Sequence, residues 1–333
     1  MAGTGTHVRE VHVAVGVIVR EGRVLIARRP DHVHQGGLLE FPGGKVEPEE
    51  SVQDALVREI AEETGLQIAA DCLQPVIGIR HDYGDKRVFL DVWRTDQARG
   101  KAHGREGQTI DWMCPEQLRD EDFPAANRPI IRALRLPFLL AITGDIQAGD
   151  AGVRQLSNAL SKLPAVLPAS DRASLVLLRA PGMAAEEYCS LAESASDLCE
   201  TVGVGLLVHG SVSVFDENPD AAGLHLPWRE AEKLDARPVP SGVWLGVSCH
   251  DAHEIDHAVV IGADYVTLGP VKQTTTHPDT PAMGWMEFRE LVSRATIPVF
   301  ALGGLEPADL DQVKQSGGQG VAGIGYWWPA SCA

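Results

Sequence analysis

Apolar residues recur along this chain with two different periods, and the changes between them mark its elements. Residues 11–20 (VHVAVGVIVR) form one β-branched run and residues 23–29 (RVLIARR) a second, with only Glu21-Gly22 between them. Two such runs joined by two turn-forming residues predict a β-hairpin. A polar, glycine-containing stretch over 31–37 follows, then an apolar segment over 38–44 (LLEFPGG). From Ser51 the period lengthens. Ser51 with Asp54 three residues on is a capping-box-type helix start, Leu56 and Ile60 make an apolar stripe, and Gly65 supplies the stop. Further strands are predicted over 75–83, 87–94 and 110–113, and a last helix over 127–134. A mixed sheet with helices on its two faces, an α/β/α sandwich, is the expected arrangement of residues 1–136.

Beyond Arg135-Leu136-Pro137 the rhythm becomes regular. Apolar runs at 138–143, 175–179, 205–209, 223–226, 243–248, 265–269, 298–303 and 320–324 alternate with helical stretches. Eight strands with intervening helices predict a closed (β/α)₈ TIM barrel over residues 137–333. A length of 333 residues agrees with two domains.

Composition narrows the function classes. No apolar run approaches the length of a membrane span, and the opening MAGTGTHVRE lacks the apolar core of a secretory signal. Six cysteines, at 72, 114, 189, 199, 249 and 332, form no CxxC pair, so a reduced, cytoplasmic chain is expected. The formal charge is −17. Residues 1–136 carry 18 Lys/Arg against 22 Asp/Glu, net −4, and the remainder 11 against 24, net −13. That balance argues against direct nucleic-acid binding. It also leaves the second half few cations with which to hold a pyrophosphate.

The chemistry-bearing stretch is GKVEPEESVQDALVREIAEETGL, from Gly44 to Leu66. Glu59, Glu62 and Glu63 stand at i, i+3 and i+4, which places three carboxylates on one helix face. Like charges so close repel unless a cation sits among them. Hard divalent ions such as Mg²⁺ take oxygen ligands and coordinate substrate phosphates at the same time. Arg58 can pair with Glu62 one turn on.

This stretch resembles the Nudix box, Gly-x5-Glu-x7-Arg-Glu-U-x-Glu-Glu-x-Gly-U with U aliphatic, and matches it at every specified position. The resemblance implies a cation-dependent hydrolase of a nucleoside diphosphate linked to another group. Further stretches, AVGVIV, ARRPD, LEFPGGKVE, GREGQTIDWM and DFPAANRPII, are similar to the MutT-type 8-oxo-dGTP diphosphatases and cover most of residues 11–136. That similarity implies Mg²⁺, with Mn²⁺ as an alternative, held by Glu59, Glu62, Glu63, Glu106 and the Gly43 carbonyl. Glu40 and Gly44 would border the site, and Arg29 and Asn127 would recognise the oxidised purine. The implied reaction releases a nucleoside monophosphate and pyrophosphate; which glutamate acts as base does not follow from spacing. For Asn127, just before Arg128-Pro129, a helix N-cap is the alternative role.

The second half resembles the thiamine-phosphate synthase and TenI-like thiazole tautomerase superfamily through PFLLAITGD, GADYVTLGPVKQTTTHPDT, IPVFALGGLEPADL and GVAGIGYWW. By that resemblance Gly303-Gly304 and Gly323-Ile324-Gly325 offer backbone N–H groups for a phosphate. The synthases follow strand two with Leu-Arg-Glu-Lys, where this chain has Leu178-Arg179-Ala180-Pro181. Their Asn-Asp after strand three is His209-Gly210 here, their second metal carboxylate falls near Glu230, and a further lysine becomes His277. These departures argue against thiamine-phosphate synthesis. A tautomerase needs only a positioned base and a phosphate loop. His250 after strand five is the first candidate base, and His225 and His277 the secondary ones. Thiazole phosphate is the implied ligand, and a sensor or homo-oligomerisation module is the non-catalytic alternative.

Overall fold

The computed structural model describes residues 10–30, 35–84, 86–165, 175–274 and 280–328. The chain divides into two compact units, Met1–Arg135 and Leu136–Ala333, each with its own core.

In the first unit β1 (Glu10–Arg20) and β2 (Arg23–Arg28) pair antiparallel, with Val19 opposite Val24. Glu21 and Gly22 both take positive φ, 50° and 72°. That is the geometry of the two-residue hairpin turn whose twist matches its strands. Then come β3 (Leu39–Glu40), β4 (Gly43–Lys45), α1 (Val52–Thr64), β5 (Gln74–Asp82), β6 (Arg87–Thr95), β7 (Ile110–Met113) and α2 (Arg128–Arg135). Strand β1 is the spine of a mixed sheet. It runs parallel to β6 from Glu10 opposite Arg87 to Ile18 opposite Thr95, and antiparallel to β2 and β4. Strand β5 continues the sheet beyond β6, and β3 and β7 pair with β2.

Alternation along β1 sorts the two faces. Val15 and Val17 join Val24, Ile26 and Val92 under Ile130 and Ile131 of α2. Ala14 and Ile18 join Leu25 under Leu56 and Ile60 of α1. Full burial of each of these α1 side chains contributes about 2 kcal/mol. The ends of α1 are as its sequence predicts. Ser51 Oγ accepts from the Asp54 amide at 3.1 Å, and Gly65, at φ 72°, closes the helix in the left-handed region.

The second unit is a closed ring of eight parallel strands: β8 (Leu139–Ile142), β9 (Leu175–Leu178), β10 (Gly205–His209), β11 (Gly223–Leu226), β12 (Trp244–Cys249), β13 (Tyr265–Leu268), β14 (Val299–Leu302) and β15 (Gly320–Gly323). Seven lie within an apolar run of the sequence, and β12 passes the end of its run by one residue, at Cys249. Around them are α3 (Gly149–Leu160), α4 (Ala185–Thr201), α5 (Val212–Asp216), α6 (Trp228–Ala231), α7 (Ala252–Val260), α8 (Gly284–Arg294) and α9 (Leu310–Gln315). Leu140, Ile142, Leu175, Leu207, Tyr265 and Phe300 belong to one core cluster, and Leu139, Val176, Val208 and Val266 to the cluster shared with the helices. Strands buried on both faces read as continuous apolar runs, which is why the barrel was legible without alternation. Among the described residues no helix is long and apolar enough to cross a membrane.

Candidate active site

Helix α1 carries the three glutamates, and Arg58 binds two of them, Glu59 and Glu62. Its guanidinium donates to both carboxylate oxygens of Glu50 at 2.9 and 3.0 Å, to Glu59 at 2.7 Å and to the Lys45 carbonyl at 3.2 Å. The expected contact with Glu62 exists at 3.3 Å and is the longest of the set. Bonds to Glu50 and Glu59 hold the guanidinium proton more tightly than usual. The loop before the helix is built to admit these side chains. A Cβ on Gly44 would lie 2.2 Å from Glu59 Cδ, so only glycine lets that carboxylate fold against the backbone. Gly43, at φ 148°, donates its N–H to Glu63 Oε2 at 3.0 Å.

Glu63 is the most perturbed of the acids. Burial pushes its carboxyl up to about 8, and the charges of Glu40, Glu59 and Glu106 push the same way against the Gly43 hydrogen bond. Glu40, Glu59 and Glu106 are thus close enough to oppose the ionisation of Glu63. Glu106 reaches this field from the loop before β7. A surplus of negative charge with hard oxygen donors fits a divalent cation such as Mg²⁺ or Mn²⁺. Among the described residues no three acidic, histidine or cysteine side chains already stand in ligating geometry. Glu59 is turned to Arg58 and Glu63 to the Gly43 amide, as carboxylates do when the nearest donors are protein groups.

At the end of β2, Arg29 and Glu40 form an ion pair. Burial raises the Glu40 carboxyl and Arg29 draws it back down. Tyr83 feels the charge of Arg29 and accepts a hydrogen bond from the Ala126 amide, which brings the 124–127 turn beside the same residues. Asn127, 8 % exposed, closes that turn through its backbone N–H to Pro124 O. Phe41, next to Glu40, and Phe123, next to Pro124, have ring centroids 5.6 Å apart.

In the barrel the secondary candidate His225 is buried, and the first candidate His250 is exposed. His225 is fully buried, with Nδ1 3.1 Å from Tyr265 Oη and Nε2 2.9 Å from Ser248 Oγ. His209 stacks on it at 6.0 Å. Burial, with Arg179 and Arg229 nearby, pushes His209 down to about 4; His225 lies well below its ordinary value for the same first reason. Thr267 Oγ1, on a residue 1 % exposed, has no hydrogen-bond partner among the described residues. His250, in contrast, is 57 % exposed, and its Nδ1 and backbone N–H both bind Glu254 at the start of α7. Gly303 and Gly304 take φ 97° and 62°, and a Cβ on either would strike the 270–273 loop, so their packing alone requires glycine. A Cβ on Gly323 would touch Tyr326, whereas one on Gly325 would meet nothing. Glu230 pairs with Lys233 at 3.0 Å. Ala180 and Pro181, where the synthases carry Glu-Lys, line a cavity of about 260 Å³ with Asp145 and Glu187. His277 lies outside the described residues.

Comparison with known proteins agrees with both geometries. The NUDIX domain model matches residues 14–133, and the thiamine monophosphate synthase model matches residues 139–326. The 8-oxo-dGTP diphosphatase of Escherichia coli K12 is 35 % identical over 128 residues, covering 38 % of this chain and 98 % of that protein. The chain belongs to both families. Its Nudix half is also 33 % identical over 123 residues to the CTP pyrophosphohydrolase of the same strain, covering 37 % of this chain and 90 % of that one. Its synthase-like half is 28 % identical over 191 residues to a putative thiamine-phosphate synthase 2 of Aquifex aeolicus, covering 57 % of this chain and 97 % of the relative.

The Nudix half is thus a diphosphatase-type hydrolase domain, and the synthase-like half a (β/α)₈ barrel. Around the box, folding brings Glu40, Glu59, Glu63 and Glu106 into one field and sets Arg29 against Glu40. Glu50 and Tyr83 had no role in the sequence reading. Glu50 anchors Arg58, and its fixed place in the box was the available signal. Tyr83 had none, since its partners Arg29 and Ala126 are distant in sequence.

Proposed function

We propose that the first domain hydrolyses oxidised purine nucleoside triphosphates, 8-oxo-dGTP foremost, to the monophosphate and pyrophosphate with Mg²⁺. The observation that carries this reading is the placing of Asn127, 8 % exposed, at the end of the turn whose Ala126 amide binds Tyr83 beside Arg29. A primary amide donates and accepts in one plane, as recognition of a purine edge needs. Arg29, held by Glu40, supplies a second oriented donor set. Glu59, Glu62, Glu63, Glu106 and the Gly43 carbonyl would hold the cation, with Arg58 setting the orientation of Glu59. When bound, the cation neutralises phosphate charge and promotes attack of water on phosphorus. Glu63, whose carboxyl is pushed up to about 8, would give up its proton to serve as a ligand of the cation.

For the barrel, the fused synthase-like domain supports binding of a thiazole phosphate, with His225 or His250 moving a proton or with no turnover at all. The same fusion favours a second reading of the first domain, hydrolysis of a thiamine-related pyrophosphate. The experiment is product release from 8-oxo-dGTP, dGTP, CTP and thiamine pyrophosphate with Mg²⁺. A kcat/KM for 8-oxo-dGTP well above that for dGTP supports the purine reading. Preference for CTP or the thiamine compound overturns it and removes Arg29 and Asn127 from base recognition.

A further inference from the structure

The loop that carries Glu106 is docked on the last turn of α1 through a side chain that no motif in the sequence singled out. Gln108 Oε1 accepts from the Glu106 amide at 2.8 Å, and Gln108 Nε2 donates to the Glu63 carbonyl at 3.2 Å. One side chain therefore spans the backbones of two carboxylates separated by 43 positions in sequence. The surroundings reinforce that span. The Arg105 amide also donates to Glu63 O, at 2.9 Å, and the His103 amide to Thr64 O at 3.0 Å. The Arg105 guanidinium donates to Ala61 O at 3.1 Å, placing a cation at the negative end of the helix. Gly104 allows the loop to close, because a Cβ there would stand 1.9 Å from the Gln108 carbonyl.

A loop-end carboxylate with an exposed side chain has no reason to stay beside Glu40, Glu59 and Glu63, whose ionised forms repel it. Left to electrostatics, Glu106 would move out into water. The docking described above opposes that by tying the loop backbone to helix carbonyls that would otherwise lack partners. Arg105 and the backbone bonds fix the first half of the loop. Gln108 alone bonds the amide of Glu106 itself.

We infer that Gln108 is a positioning residue, which holds Glu106 in register with Glu63 so that both face one divalent cation. The inference rests on the cation-binding part of the proposed function and is independent of the nucleotide. Outer contacts of this kind change metal affinity by about tenfold to a hundredfold.

The test is Mn²⁺ binding to the full chain without nucleotide, followed by electron paramagnetic resonance, in the parent, Gln108→Met, Glu106→Gln and the double variant. Methionine keeps the length and volume and loses both hydrogen bonds. Gln108→Asn stays polar but is one methylene too short for the span. If Gln108 acts through Glu106, Gln108→Met and Gln108→Asn each weaken Mn²⁺ about tenfold, and the double variant binds no more weakly than Glu106→Gln. Parent-like affinity in Gln108→Asn or Gln108→Met, losses that multiply in the double variant, or a parent that binds no Mn²⁺, overturns the inference. Amide exchange at Glu106, faster in a folded Gln108→Met than in the parent, is the accompanying structural readout; unchanged exchange counts against it. A parent that binds Mn²⁺ but cleaves no nucleoside triphosphate defeats the proposed substrate and leaves the Gln108 result standing.

Discussion

At the scale of single residues, burial and like charge decide which acid does what. Glu63 and Glu62 adjoin in sequence, yet Glu62 is exposed on the helix flank while Glu63 is driven up to about 8. Substituting Glu59→Gln or Glu63→Gln should each lower Mg²⁺-dependent kcat by at least about a hundredfold, since each removes a formal charge from the cation site. Near-normal turnover in either variant refutes the assignment. Asn127→Ala should raise KM for 8-oxo-dGTP about tenfold more than for dGTP, the size of one well-made hydrogen bond. An equal rise for both nucleotides would reduce Asn127 to a packing role. Its neighbour in space, Tyr83, could not be found from sequence, because nothing local marks a tyrosine that receives an amide bond from residue 126.

Among elements, α1 and the strand before it form the working unit. The helix is specified locally by Ser51, its apolar stripe and Gly65, and these were legible. Ser51→Ala should cost about 1 kcal/mol of stability, read as a lower Tm with kcat retained. Gly44→Ala acts differently, because its Cβ would occupy the space of Glu59 Cδ. It should depress hydrolysis severely while leaving the far-ultraviolet circular dichroism of the chain unchanged. Full activity in that variant would show that Glu59 does not need its place against the loop. In the barrel the strands were legible as apolar runs, and so was the place of His250 directly after the fifth of them. His250 follows β12 in sequence, yet it sits at the head of α7 where Glu254, one turn on, captures its ring. His209 and His225 occupy the interior because β10 and β11 are adjacent with those two residues in register.

For the whole molecule, the two units should answer pH in opposite senses. Glu63 titrates at about 8 in the fold against 4.5 ordinarily. The folded state therefore binds the proton more tightly, and stability of the first unit falls as pH rises through that interval. His209 titrates at about 4 in the fold against 6.5. There the unfolded chain binds the proton first, and stability of the second unit falls as pH drops from 6.5 towards 4. Calorimetry of Glu63→Gln and His209→Gln against the parent checks both: each substitution should flatten the pH dependence of one transition only, and a parent-like slope in either rejects that group as its source. What the sequence alone determined is whatever depends on neighbours along the chain: the hairpin, the capped helix with three carboxylates on one face, the eight strands and the position of the break between domains at 136 as an expectation. Only the tertiary structure decided which carboxylates share a field, that Arg58 answers Glu50 before Glu62, that Gln108 bridges Glu106 to Glu63, and that the buried histidines are His209 and His225. Periodicity and capping energies act over a few residues, whereas desolvation and charge coupling depend on distance in space, which spacing along the chain does not encode.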